Sequence, residues 1–285
     1  MAYQTIFFQN SDDFLEKTLT DLTRNETRNN LLLGLAFRLR DDLHFYSDQQ
    51  PLMAVVTDIT GQNCAIAVMT PPYPMIIQSD PVNREAFERL LETLEGSGWQ
   101  IPGVNGVSDA SDAFARIWQE KSGQPVRLST QLRAYELREV CELEFPPGAM
   151  RIAEDNHAQI AANMLNSMSE EIGQKQARLA TRESALKIIH EGGAFFWVVD
   201  RQVVSFALAN RPQVKGICIS GVYTPPQDRR KGYARALVAE VSKEMLSRGY
   251  ALTNLFTDLA NPTSNKIYQE IGYQPVCDYH QYMVE

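Results

Sequence analysis

With 27 basic and 35 acidic side chains, the 285-residue chain carries a net charge of -8 and lacks the broad basic face of a general nucleic-acid binder. Hydrophobic residues at 44% and charged residues at 22% fit a globular protein of one large or two ordinary domains. No basic leader with a long apolar core opens the sequence, and the apolar run at 31–37 is too short to cross a bilayer, so a cytoplasmic protein without membrane partners is expected.

In the first half, "CAIAVMTPPYP" (64–74) is similar to "CISGVYTPPQD" (218–228), with the cysteines and Thr-Pro-Pro aligned at an offset of 154. "VNREAFERLLETLEG" (82–96) has the apolar spacing of an amphipathic helix. "IPGVNGVSDASDAF" (101–114), with Gly103 and Gly106, reads as a surface turn. "IWQEKSGQPV" (117–126) then resembles "IYQEIGYQPV" (267–276) at an offset of 150. Two ordered matches at nearly one offset point to an internal duplication. "LRAYELREV" (132–140) alternates like a closing strand, and Pro146, Pro147 and Gly148 break the pattern. The junction is placed near 145, giving domains 1–145 and 146–285.

The second half reads more clearly. Helical spacing runs through "DNHAQIAANMLNSM" (155–168) and "RESALKIIHEGG" (182–193), followed by strands 194–200 and 202–210 joined at Asp200-Arg201. A strand ends in "GVYTPP", a helix runs from about 230 to Gly249, and a strand (250–258), a short helix (261–272) and one or two closing strands follow. The result is an α/β fold with a mixed sheet.

Between the strand and the helix lie Arg229, Arg230, Lys231 and Arg235, with Gly232 among them. The first turn of a helix carries unpartnered N–H groups and partial positive charge, and glycine lets the chain wrap an oxyanion closely. Cations there oppose the helix dipole, so their clustering calls for a compensating anion such as a diphosphate. Neither a Walker loop nor a GxGxxG turn is present. The cysteines (Cys64, Cys141, Cys218, Cys277) are widely spaced and read as reduced core thiols, and His44, His157, His190 and His280 show no ligand spacing; no metal is expected.

Arg229-Arg230-Lys231-Gly232-Tyr233-Ala234, after a strand, resembles the Arg/Gln-x-x-Gly-x-Gly/Ala signature of the GNAT superfamily of N-acetyltransferases. "LFTDLANPTSNKIYQEIGYQPV" is similar to that family's second motif, and the likeness covers about residues 150–285. It implies tandem GNAT-like domains, each a mixed, mostly antiparallel sheet flanked by helices, the first a degenerate, non-catalytic copy with Trp118 where the second has Tyr268. The implied donor is acetyl-CoA and the implied acceptor a small or peptide amine. By the resemblance, the amides of residues 230–235 (Tyr233 and Ala234 included) hold the pyrophosphate and Val222, Tyr223 and Thr224 pair with the pantetheine arm. Asn261 and Asn265 touch the pantetheine or phosphate, and Tyr268 stands near the sulfur. The strand carries no carboxylate, which leaves Asp258 and, more remotely, Glu191 as bases. A longer-chain acyltransferase and a non-catalytic acyl-CoA sensor are the alternatives.

Overall fold

The computed structural model describes residues 3–173 and 179–285. In the first half, β1 (Tyr3–Phe7) leads into α1 (Ser11–Leu22) and α2 (Asn30–Asp41). Then come β2 (Leu52–Asp58), β3 (Asn63–Met69), β4 (Met75–Gln78), α3 (Arg84–Gly96), β5 (Gly103–Val107), α4 (Ser108–Ser122) and β6 (Val126–Leu137). The second half repeats the sequence of elements. It runs through β7 (Ala149–Ile152), α5 (Ala158–Glu171), α6 (Arg182–His190), β8 (Ala194–Val199), β9 (Gln202–Pro212), β10 (Gly216–Tyr223), α7 (Tyr233–Ser247), β11 (Leu252–Asp258), α8 (Pro262–Ile271) and β12 (Gln274–Val284). No helix among the described residues is long and apolar enough to cross a membrane.

All twelve strands form one sheet in the order β1-β2-β3-β4-β5-β12-β6-β11-β10-β9-β8-β7. The pairs β4·β5 and β10·β11 are parallel, and the other pairs are antiparallel. The order reads the same from either edge once each strand is matched to its twin, so the halves are related by an approximate two-fold axis between β6 and β12. Each half gives its last strand to the other. β6 pairs with β11 (Thr253↔Leu137 to Asp258↔Leu132), and β12 pairs with β5 (Tyr279↔Val107 to Met283↔Gly103). The chain passes from one half to the other between β6 and β7, after β6 has already taken its place beside β11 and β12 in the shared sheet.

The twinning corrects one of the two sequence matches. The 150-residue offset holds, since it lays α4–β6 on α8–β12 and Trp118 on Tyr268. The 154-residue offset does not, because it lays β3 on β10, whereas the topological twin of β10 is β4. The "surface turn" at 101–114 is also corrected: it is the fully buried strand β5 and the start of α4. Its glycines answer to crowding, since a Cβ on Gly106 would stand 2.6 Å from the carbonyl oxygen of Ile77 on β4. Of the four cysteines, only Cys218 is a buried core thiol; Cys141 is exposed and the other two are half-buried.

Apolar clusters cover both faces of the sheet in each half. Phe87, Leu90 and Phe114 of α3 and α4 oppose Phe14, Leu33 and Leu39 of α1 and α2; Leu237, Val241 and Ile271 of α7 and α8 oppose Ala161, Ala185 and Ile189 of α5 and α6. Polar contacts then tie the halves together. The buried Glu26 carboxylate accepts from the main-chain amides of Lys215 (2.8 Å) and Gly216 (3.1 Å) at the start of β10. Arg133 grips Asp278 across β6·β12 at 2.6 and 2.9 Å.

Candidate functional site

The parallel strands β10 and β11 pair only from Gly216↔Leu252 to Cys218↔Asn254 and then part. Beyond Cys218, one edge of β10 has no strand partner. A bulge with Gly221 at φ +58° shifts the register against β9 between Ser220 and Tyr223, and Ser205 Oγ lies 2.9 Å from Thr224 Oγ1 at the strand's end. The twin strand β4 is only four residues long and pairs with β5 over three of them, so the first half has no comparable free edge.

α7 begins where β10 turns. Gly232, at its N-cap, has φ +82° and Arg230 has φ +62°, two left-handed residues one apart. No side chain caps the helix. Among the described residues, none of the amides of residues 230–235 donates to a protein acceptor within hydrogen-bond distance and angle; the next, Ala236 N, donates to Gly232 O at 3.0 Å. A run of unpartnered amides at a helix start makes a concave anion-binding surface. The twin helix α3 is closed by its own sequence: Asn83 Oδ1 accepts from Ala86 N at 2.9 Å.

A cleft of about 480 Å³ joins the free edge and this amide row. Val222, Tyr223, Thr224, Arg229, Arg230, Gly232, Tyr233, Ala234, Arg235, Asn261 and Tyr268 all line it. Lys231 does not; its ammonium turns to Asp228 at 3.0 Å. Asn265 does not line it either. Its amide nitrogen donates to Asp258 O and Asn261 O, its oxygen accepts from Tyr135, and the side chain serves the β11–α8 turn outside the cleft wall.

The cations are also less available than a count suggests. Arg229 pairs with Glu171 at 2.6 Å and Arg235 with Glu270 at 3.1 Å, while Arg230 has no ion-pair partner among the described residues. The hydrogen bond between Arg229 and Glu171 holds the Glu171 carboxyl below its usual range and the guanidinium above its own. The free polar groups of the loop are therefore main-chain amides more than side-chain charges.

Tyr268 is 8% exposed, and its hydroxyl has no hydrogen-bond partner among the described residues. Burial, with a smaller contribution from Cys218, pushes the phenol up to about 12. The expected bases do not stand at the reacting centre. Glu191 is bound by Arg38 at 2.8 and 3.0 Å at the end of α6, and Asp258 Oδ1 accepts from Ala260 N at 2.7 Å outside the cleft wall. His280 is held between Asp112 (2.7 Å) and Gln131 (3.0 Å). Sequence reading missed Met168, Glu171 and Ile172, the last turn of α5 and its following residue, which wall the cleft from more than 50 positions upstream of the loop. No local motif marks them; only the topology brings them there.

A second cleft, about 580 Å³, lies in the first half by the C-terminal end of α4, lined by Trp99, Trp118 and Pro102, with Glu95 its sole charged residue. Among the described residues no group of three or more His, Cys, Asp or Glu is placed to hold a metal ion.

Residues 200–283 match the family model of the FR47-like proteins. No curated protein matches the chain. Among solved structures, it is similar to a Drosophila protein (TM-score 0.68, 12% identity, covering 100% of this chain and 98% of that one). It is also similar to a GCN5-related N-acetyltransferase from Sphaerobacter thermophilus (TM-score 0.63, 15% identity, 98% and 94% covered). A third is a tandem GNAT protein from the clavulanic acid biosynthesis pathway (TM-score 0.58, 10% identity, 99% and 98% covered). At these identities the likeness is one of fold: the chain has the GNAT fold, set twice in tandem.

Proposed function

We propose that the protein is an N-acetyltransferase that moves an acetyl group from acetyl-CoA to a primary amine by direct attack in a ternary complex. Residues 146–285 carry the reaction, and residues 1–145 are a non-catalytic partner that braces β10. The observation that carries this reading is the unpartnered amide row around Gly232, whose residues 230 and 232–235 line the same cleft as the free edge of β10 and Tyr268.

In this reading the amides around Gly232 hold the diphosphate of the carrier, with Arg229, Arg230 and Arg235 close by. The main chain of Val222, Tyr223 and Thr224 aligns the pantetheine arm as an added strand. Acetyl-CoA supplies an activated thioester; the protein supplies alignment, a strand amide for the developing oxyanion and a phenol for the leaving sulfur. A primary alkylamine has a pKa near ~10.4, so shedding its proton at pH 7 costs about 4–5 kcal/mol. Among the described residues two carboxylates wall the cleft, Asp228 and Glu171, and both are ion-paired, so water serves as the exit for that proton.

That same shortage of a free carboxylate supports a second reading, an acyl-CoA sensor that binds the carrier and transfers nothing. A longer-chain acyl donor is a variant of the first reading. Calorimetry with acetyl-CoA, followed by thiol release across a panel of amines, tests all three. An enzyme binds and releases CoA only with an acceptor present, and a sensor binds and releases none. No uptake at all refutes both.

A further inference from the structure

Glu171 differs from the other carboxylates near the amide loop. Asp228 belongs to the loop and pairs with Lys231 three residues on, and Glu270, which pairs with Arg235, does not line the cleft. Glu171 comes from the end of α5, lines the cleft, and reaches across to Arg229 at 2.6 Å. Arg229 is anchored at a second point, its Nε donating to Thr224 O at 2.9 Å, which leaves its terminal nitrogens to be shared. The pair is open to water, with side chains 40% and 45% exposed, and such pairs exchange partners easily.

A diphosphate on the amide row competes with Glu171 for the same guanidinium, with more charge and a geometry that suits a bidentate contact. Once Arg229 turns to it, an ionised carboxylate is left unpaired on the cleft wall. An ion pair favours the protonated form of any amine it holds, and a protonated amine is not a nucleophile. Glu171 is therefore suited to a cationic group of the acceptor other than the nitrogen that reacts.

We infer that Glu171 is the acceptor-recognition residue of this cleft, released from Arg229 by the bound diphosphate, and that the acceptor is an amine bearing a second cationic group. The inference rests on the functional reading above and names its substrate class.

Titration calorimetry tests both steps. Glu171→Gln, which removes the competitor, binds acetyl-CoA three- to tenfold more tightly than the parent chain. That gain disappears when Arg229→Ala is present in both proteins. With desulfo-CoA saturating, hexane-1,6-diamine binds the parent at least tenfold more tightly than it binds Glu171→Gln, whereas hexylamine does not distinguish them; without desulfo-CoA the diamine preference is absent. Unchanged or weaker acetyl-CoA binding by Glu171→Gln overturns the inference, as does diamine binding indifferent to Glu171 or to desulfo-CoA. A parent chain that takes up no acetyl-CoA strikes the functional reading itself, and the inference falls with it.

Discussion

Replacing Tyr268 by Phe removes one oxygen from a ring that otherwise stays packed against Tyr273, with centroids 6.0 Å apart. Because the hydroxyl has no partner among the described residues, its loss strands no described donor or acceptor, and stability changes little. The phenol sits at about 12. A thiol leaving group near ~8.5 is then about 3.5 pH units more acidic, so full proton transfer to the thiolate is uphill by roughly 5 kcal/mol. In the proposed reaction Tyr268 therefore serves as a hydrogen-bond donor to the sulfur rather than as a full acid. A hydrogen bond to a charged group contributes about 1.5–3 kcal/mol, equivalent to a fall in turnover of about 10- to 150-fold. Steady-state thiol release measures this, and calorimetry with acetyl-CoA is expected to agree between the two proteins within about twofold. The phenol's high pKa also means that it contributes no alkaline limb to the rate profile below about pH 11. Unchanged turnover refutes the donor role. A limb near pH 9 that vanishes in Tyr268→Phe refutes the burial argument.

Gly232→Ala meets only Pro146, 3.7 Å from the new Cβ, so its cost is the left-handed backbone (φ +82°), about 1–2 kcal/mol, and calorimetry should show acetyl-CoA binding weakened about tenfold. Gly232→Asp adds a like charge at the anion site and should weaken binding by more than about 100-fold; equal affinity in all three proteins contradicts the amide-row site. Residues 146–285 produced alone lack β6, which lies between β11 and β12, and should fail to give a cooperative melt; addition of residues 1–145 should restore one. The Asp278 carboxyl is held below its usual range by hydrogen bonds from Arg133, so its contribution is present above its unfolded pKa near ~3.9 and is lost as pH falls through the lower folded value. Both side chains are one-third exposed, so Asp278→Asn should cost no more than about 1 kcal/mol in urea melts at pH 7, and that difference should shrink toward pH 2; a constant difference excludes the ion pair as its source.

The second half was legible because its local signals agree with its tertiary structure. The strands 194–200 and 202–210 meet at Asp200 (φ 46°) and Arg201 (φ 66°), a two-residue turn suited to the twist of a hairpin. α7 begins beyond its glycine and α8 beyond Asn261, whose side chain accepts from Ser264 N. β5 failed as a reading because its glycines make room for the neighbouring strand, and sequence alone gives the same letters to a turn and to a close backbone approach. The Thr-Pro-Pro likeness failed because similar residues can close different strands. The charge reading of the loop was half right. The cations are there, but Glu171, 58 positions away, and Glu270, 35 away, already answer two of them, and no local window contains those partners. The crossing of β6 and β12 was equally hidden, since a closing strand has the same alternation whichever sheet receives it.

The twin helix starts differ in the one feature on which the proposed anion site rests. α3 and α7 occupy matching places after β4 and β10, so their first turns present the same unpartnered amides. Asn83 supplies its own acceptor at 2.9 Å, a cap worth about 1 kcal/mol to the free protein. Gly232 supplies none, so α7 forgoes that stabilisation and leaves its amides open to a ligand. A diphosphate at α3 would have to displace the Asn83 carbonyl before gaining anything, and it would find no free strand edge beside it, because β4 ends one residue beyond its pairing with β5. One side chain at the helix start and the length of one strand thus divide the halves. The first caps its own helix and adds its strand and Glu26 to the second, and the second keeps the open amides on which the proposed anion site rests.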